Sequence, residues 1–205
     1  MVFVFRRRAA LLMVAAGATL GVAARGARAS DAADFVQKLG DDALDLLVLQ
    51  PGDDHERAER LRAILSGSFD LKTIGRAVLG PTWKSADENQ RASYLSAFED
   101  YIVATYSLRV KDYAGETFEV LKETPIDDRD SMVATQIVRP NKAPLLVDYR
   151  VRGDGAAYRV VDVMVEGISM LTSQRQEFAA VVQRDGLDGL IARLRARADE
   201  ILGSL

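Results

Sequence analysis

The chain has 205 residues, 27 Lys plus Arg against 30 Asp plus Glu, and 48% hydrophobic residues. That is enough apolar material for one sizeable core, and it excludes wholesale disorder. With no cysteine and a single histidine, His55, disulfide scaffolds, zinc–thiolate sites, iron–sulfur clusters, thiol catalysis and multi-histidine metal sites are excluded too.

Residues 1–29 read as an export signal outside the fold. Arg6, Arg7 and Arg8 precede an uncharged apolar run from Ala9 to Leu20, and Ala27-Arg28-Ala29 supplies a small-x-small cleavage pattern. The run is short for a membrane span and is broken by Gly17 and Gly21. The arginine pair is compatible with either general or twin-arginine export. Cleavage after Ala29 removes five arginines and no acids, leaving 22 bases against 30 acids, a net charge of −8. A protein of that sign is a poor ligand for nucleic acid or for anionic lipid surfaces.

Residues 30–205 are expected to form one domain. Phe35, Leu39, Leu46 and Leu47 mark an amphipathic helix over about Asp34–Leu49, stopped by Pro51-Gly52. Ala58, Leu61 and Leu65 mark a second over about Asp54–Leu65, and Leu71, Ile74 and Val78 a short third over Asp70–Leu79, closed by Gly80-Pro81. Ser85-Ala86-Asp87-Glu88 fits a capping box for the longest helix, about Ala86–Tyr113, whose stripe is Tyr94, Leu95, Phe98, Tyr101, Ile102, Thr105 and Leu108.

The period then changes. Glu116–Glu123, Ser131–Arg139, Leu145–Arg152 and Ala157–Val165 read as four strands joined by Pro-, Asp-, Asn- and Gly-containing turns. Alternation with a tight turn at Gly153-Asp154 sets Tyr149 opposite Tyr158 and Asp148 opposite Arg159. Two helices close the chain, one over Met170–Gln183 and one from Leu187 carrying Leu190, Ile191, Leu194, Ala198, Ile201 and Leu202. The expected fold is α+β, an antiparallel meander of at least four strands wrapped by about six helices.

Chemistry-bearing patterns are sparse. Asp53-Asp54-His55-Glu56 has metal-ligating residue types, but adjacent residues on a helix point in different directions, so these read as capping groups and no metal site is expected. Arg152-Gly153-Asp154 reads as a hairpin turn. There is no GxGxxG, P-loop or GxSxG. A hydrolase or isomerase would need a general acid or base from Asp148, Asp162, Glu166 and Arg175, of which Asp162 stands among apolar strand residues and needs a partner such as Arg175 or a helix N-terminus. No catalytic residue is assigned.

The richer signal is apolar surface. Leu145, Val147, Tyr149, Val151, Tyr158, Val160 and Met164 fall on one face of the last two long strands, and Leu146, Val161, Val163 and Val165 on the other. A sheet covered on both sides accounts for this, and so does an apolar ligand cavity.

Val78-Leu79-Gly80-Pro81-Thr82-Trp83-Lys84-Ser85-Ala86, followed by Gln90-Arg91, Phe98, Tyr101, Tyr106 and Tyr113-Ala114-Gly115, forms one ordered block. Asp162-Val163-Met164-Val165-Glu166-Gly167-Ile168-Ser169-Met170, then Arg175, Phe178, Asp185-Gly186-Leu187 and Leu190, forms another. Together they resemble the MlaC (toluene-tolerance) family over about Asp70–Leu194. The resemblance implies a monomeric periplasmic carrier that needs no cofactor and takes phospholipid as its transported ligand. It also implies two partners, an outer-membrane lipoprotein complex and an inner-membrane ABC transporter complex with an MCE-type subunit. A related branch implies a hopanoid or other polycyclic lipid instead. On that reading the lipid slot lies between the sheet face bearing Val147, Tyr149, Val151, Tyr158, Val160 and Met164 and the helix stripe of Phe98, Tyr101, Ile102 and Tyr106, with Ile168 and Met170 at its rim. Gly167 would permit a sharp exit from strand to helix, and Ser169 would cap the helix that follows.

Overall fold

The computed structural model describes residues 27–47, 54–110, 115–153 and 157–204. The chain runs α1 (Ala27–Leu47), α2 (Asp54–Ser68), α3 (Leu71–Leu79), α4 (Thr82–Ser85), α5 (Glu88–Val110), β1 (Thr117–Pro125), β2 (Asp130–Val138), β3 (Leu145–Arg152), β4 (Arg159–Val165), β5 (Ile168–Ser169) and α6 (Met170–Leu202). The strands form an antiparallel meander in the order β1-β2-β3-β4-β5, so the α+β expectation holds, with β5 as an added strand. Residues 1–26, most of the expected export signal, lie outside the described residues, whereas Ala27–Ala29 belong to α1.

The helices follow local chemistry. In α1 Ala32, Val36, Leu39 and Leu46 are buried at helical spacing, and the alanines before Asp34 extend the helix upstream of the expected start. Asp70 caps α3, its Oδ1 accepting from Thr73 N at 2.9 Å. The capping box of α5 is Asp87 with Gln90, each side chain accepting from the other's backbone N–H, rather than Ser85 with Glu88. Ser85 instead donates to the Thr82 carbonyl within the short α4, and so the long helix begins two residues later than expected. Leu108, placed on the buried stripe by periodicity, is exposed. α6 contains both expected C-terminal helices, broken where Gly186 takes φ 73° and ψ 177°.

Among the described residues, α1 packs on one face of the sheet. This inner face carries Phe118, Val133, Val147, Tyr149 and Val151, and α1 lies across it at β1 and β2. Leu146, paired with Gln136 on the opposite face, is exposed.

The β3–β4 register differs from the expected one. Val147 pairs with Val165, Tyr149 with Val163 and Arg150 with Asp162, but Val151 pairs with Val160, leaving Val161 as an extra residue. This bulge sits where the α2–α3 connection joins β4, through a Phe69–Val160 bridge and a 3.0 Å bond from Asp70 N to the Val160 carbonyl. An inserted residue exchanges the faces of everything beyond it. Val163 and Val165 therefore turn inward and Met164 outward, reversing the expected assignment, and Tyr149 faces Val163 and Asp148 faces Met164. Tyr158 lies before β4, against Phe35 of α1 at 5.9 Å between ring centroids.

Glu166 (φ 49°) and Gly167 (φ 77°) link β4 to β5 as a two-residue hairpin. That is a turn between strands, not the strand-to-helix exit expected of Gly167; Ser169 then caps α6 as expected, its Oγ accepting from Thr172 N at 3.1 Å. Two successive positive φ angles are the signature of a type I′ turn, which glycine occupies without steric cost.

One buried ion cluster pins the opposite sheet end. Asp130, 2% exposed, accepts from Arg150 Nε at 2.8 Å and from Arg152 Nε and Nη2 at 2.7 and 2.9 Å. The Arg152 bond first, and Arg150 with it, hold its carboxyl below the ordinary 3.8 against the opposing effect of burial.

A depressed carboxyl contributes stability above its unfolded pKa and loses it as pH falls through the folded value. Asp130→Asn is expected to cost about 2–3 kcal/mol at neutral pH, and the gap from the parent chain should close below about pH 4, read by urea unfolding across pH. Gly167→Val, whose side chain would meet open space, bears only the backbone penalty of about 1–2 kcal/mol. Its melting temperature should fall by roughly 2–8 °C; unchanged melting would show that the turn is not under that constraint.

Candidate functional site

Most domains have one contiguous apolar core; here the buried residues fall into four clusters. One joins α3, α5 and α6 through Val78, Tyr94, Phe98, Phe178 and Leu190. A second joins α1 to the sheet through Ala32, Val36, Val133 and Val151. A third joins α1, α2 and α5 through Leu46, Leu61, Leu65 and Val103, and a small fourth joins α5 to the end of α6 through Ala104, Ala198 and Ile201.

The first three clusters border a cavity of about 740 Å³. Its walls come from Leu39, Ala43 and Leu44 of α1; Leu61, Ile64 and Leu65 of α2; and Phe69, Leu71, Ile74 and Val78 at α3. Phe98, Tyr101, Ile102, Thr105 and Tyr106 line it from α5, and Phe118, Ile137, Leu145, Val147, Tyr149, Val163 and Val165 from the sheet. The polar lining comprises Ser173, Gln174 and Glu177, which follow Met170 and Leu171 on the first turns of α6, with Asp162 of β4, Thr105 of α5 and Glu116 just before β1.

Aromatic packing braces the helical side. Tyr94, Phe98 and Phe178 meet with centroids 5.8–6.4 Å apart, and Tyr101 adds to Phe178 at 6.1 Å. The Tyr94 hydroxyl donates to the Gly75 carbonyl at 3.0 Å, tying α5 to α3, and burial pushes its pKa up. Tyr149 keeps accessible surface because it borders the hollow, yet burial, with a smaller contribution from Tyr106, pushes its hydroxyl up to about 12. These are neutral groups in an apolar enclosure.

Of the residues expected at the slot, Phe98, Tyr101, Ile102, Tyr106, Val147, Tyr149 and Met170 line the cavity. Val151, Tyr158, Val160, Met164 and Ile168 do not. Val151 packs on α1 with Tyr158, Val160 is wholly buried at the bulge, and Met164 faces outward with Asp148. Ile168, although on the inward face opposite Val165, is 60% exposed at the sheet's edge. Sequence reasoning missed the walls from α1, α2 and α3, as well as Phe118, Ile137, Val163 and Val165. The signal available was the wide apolar stripe of each N-terminal helix, whose partner the sequence did not specify.

The groups considered for catalysis are dispersed into structural roles. Asp162 Oδ2 accepts from Ser169 Oγ at 2.7 Å, while Oδ1 accepts from Val163 N at 2.8 Å and Leu171 N at 3.2 Å, so the carboxylate secures the start of α6. Arg175 is not its partner; that guanidinium donates to the Ala77 carbonyl at 2.7 Å. Glu166 accepts from Leu146 N at 2.9 Å, and Asp148 faces outward. Around His55, Asp53 lies outside the described residues and Asp54 pairs with Arg57. No cluster of acids or histidine among the described residues could hold a metal ion, and no described helix is long and apolar enough to cross a membrane.

The model of the MlaC protein family matches residues 37–196. The chain belongs to the MlaC family. A curated relative, the intermembrane phospholipid transport system binding protein MlaC of Haemophilus influenzae, is 24% identical over 135 residues, 64% of this chain and 63% of that protein. The fold resembles that of a phospholipid-binding protein from Ralstonia solanacearum, solved in complex with a phospholipid. The TM-score is 0.71 at 22% identity, covering 83% of this chain and 98% of that one. MlaC membership covers both the helical walls and the sheet of the cavity described above.

Gly40 of α1 lies against the Phe118 ring, where an added Cβ would stand 2.2 Å from Cδ1. Gly→Ala in a helix normally stabilises by about 1 kcal/mol. Here Gly40→Ala is expected instead to destabilise by about 1–3 kcal/mol through overpacking, measured by urea unfolding. Asp162→Asn should cost about 1–3 kcal/mol by weakening the bonds at the α6 N-terminus; a fully stable variant would contradict the capping role.

Proposed function

We propose that this chain is an exported lipid carrier, cleaved after Ala29, that holds phospholipid acyl chains in the cavity while it crosses the periplasm. It would exchange lipid with an outer-membrane lipoprotein complex and an inner-membrane ABC transporter complex bearing an MCE-type subunit. The observation that carries this reading is the 740 Å³ hollow with hydrocarbon walls drawn from five helices or their connections and four strands. Its volume falls in the range of about 300–1,000 Å³ usual for ligand sites, and most of its lining residues are apolar. The phospholipid-binding and transport named for the two relatives supports the choice of ligand.

The physics gives such a cavity its use. Each acyl methylene exposed to water costs roughly 0.8 kcal/mol, so two chains of about 15 methylenes carry on the order of 20 kcal/mol against crossing water alone. A protein wall that replaces the bilayer's hydrocarbon removes most of that barrier, provided loading is nearly isoenergetic. Contacts of this kind are non-directional, so selectivity rests on tail volume and shape, with the head group toward the polar side chains of Ser173, Gln174 and Glu177 on α6. The ordered cap made by Asp162 and Ser169 gives those residues a role in holding α6 in place.

Denaturing extraction of the purified protein followed by mass spectrometry is expected to find phospholipid near one molecule per chain. A lipid-free protein that also takes up none from vesicles would overturn the reading, and a fused-ring lipid in its place would favour the hopanoid branch. Val163→Trp, filling the hollow from the inward side of β4, should cut lipid content by roughly half or more. Met164→Trp, one residue away on the face turned from the cavity, should leave it unchanged.

A further inference from the structure

A second concavity of about 650 Å³ lies on the other side of α3, lined by Thr73, Arg76, Trp83, Lys84, Arg152 and Arg175 together with backbone near Gly80. Its character is opposite to the first. Arg76 comes to 6.0 Å from the Trp83 ring centroid and Arg91, just behind, to 5.5 Å. Arg91 is anchored by Nε donating to the Trp83 carbonyl and Nη2 to the Lys84 carbonyl, which fixes the aromatic floor.

The cations here are poorly neutralised. Arg152 is paired with Asp130, and the nearby Asp70 is committed to capping α3. Arg76, Lys84 and Arg175 have no carboxylate partner among the described residues; Arg175 is held only by its Nε on the Ala77 carbonyl. Among the described residues no acidic side chain lines the cleft. In a chain with more acids than bases, three unneutralised cations converging on an aromatic floor, with no acid among them, are a strong local reversal of sign. Concentrating like charge in a concave site focuses the field and steers anionic partners.

We infer that this cleft docks an acidic segment of a protein partner, carboxylates meeting Arg76, Lys84 and Arg175 while the chain of the segment lies across Trp83. The occupant is a polypeptide rather than a membrane because the site is concave, whereas a bilayer presents a flat surface and the acidic remainder of the protein repels an anionic one. It is too large for a single inorganic anion. The site is separate from the lipid cavity and does not rest on the carrier reading, but α3 is shared between them: Thr73, Arg76 and Ala77 face the cleft, and Ile74 and Val78 face the cavity.

Trp83 is the chain's only tryptophan, so its emission reports on this site alone. Titrating the intact protein with decaglutamate at low salt should give a saturable change in Trp83 fluorescence, weakened by added salt and absent with an uncharged peptide of the same length. Lys84→Glu should weaken the response severalfold, and Arg76→Glu with Lys84→Glu by roughly tenfold or more. Melting temperature and extracted lipid should stay as in the parent, so a failure here and a failure of lipid carriage are told apart. No saturable response, or one that survives both charge reversals, would overturn the inference. So would tighter binding, lost on the same reversals, to phosphatidylglycerol vesicles or inorganic phosphate.

Discussion

A hollow walled by hydrocarbon forfeits the dispersion contacts of a packed interior and gives water few groups to bond. Such a space persists only if the walls cannot close over it, and the rest of this structure follows from that requirement. The apolar residues are divided into clusters that each join two or three elements and stop at the cavity's edge. Tyr94, Phe98 and Phe178 brace α5 against α6 on one side, and the Tyr94 hydroxyl bonded to Gly75 keeps α3 from sliding. On the other side α1 approaches β1 so closely that Gly40 leaves room only for the Phe118 ring.

The sheet supplies a rigid half of the enclosure because its ends are fixed by different means. Asp130 with its two arginines fixes one end through charge; the Glu166–Gly167 turn and the Asp162–Ser169 contacts fix the other through backbone geometry and capping. Between them the bulge at Val161 decides which side chains of β4 see the interior. A local irregularity of one residue thus sets the composition of the cavity wall.

That irregularity marks the boundary of what could be read from the sequence. Periodicity placed β3 at Leu145–Arg152, an interruption between Gln183 and Leu187, and the α5 stripe of Phe98, Tyr101 and Ile102, because each is fixed by local pattern. The faces of β4 came out reversed beyond Val161, since the bulge is imposed by Phe69 and Asp70, some ninety residues upstream, and alternation carries no trace of it. The same holds for the N-terminal helices. Leu39, Leu61 and Leu65 were legible as buried, but whether a stripe abuts another side chain or an empty space is a property of the assembled fold. Asp162 was legible as needing a partner; which of Arg175 and a helix terminus supplied it was settled only by the turn that brings Ser169 and Leu171 within reach.

Walls built from hydrocarbon have a consequence for how such a protein diverges. A site that recognises its guest by volume can exchange leucine for isoleucine or methionine at little cost so long as the total is kept, whereas a triad or a metal centre cannot exchange its members at all. The enclosure can therefore tolerate exchange of the residues that compose it.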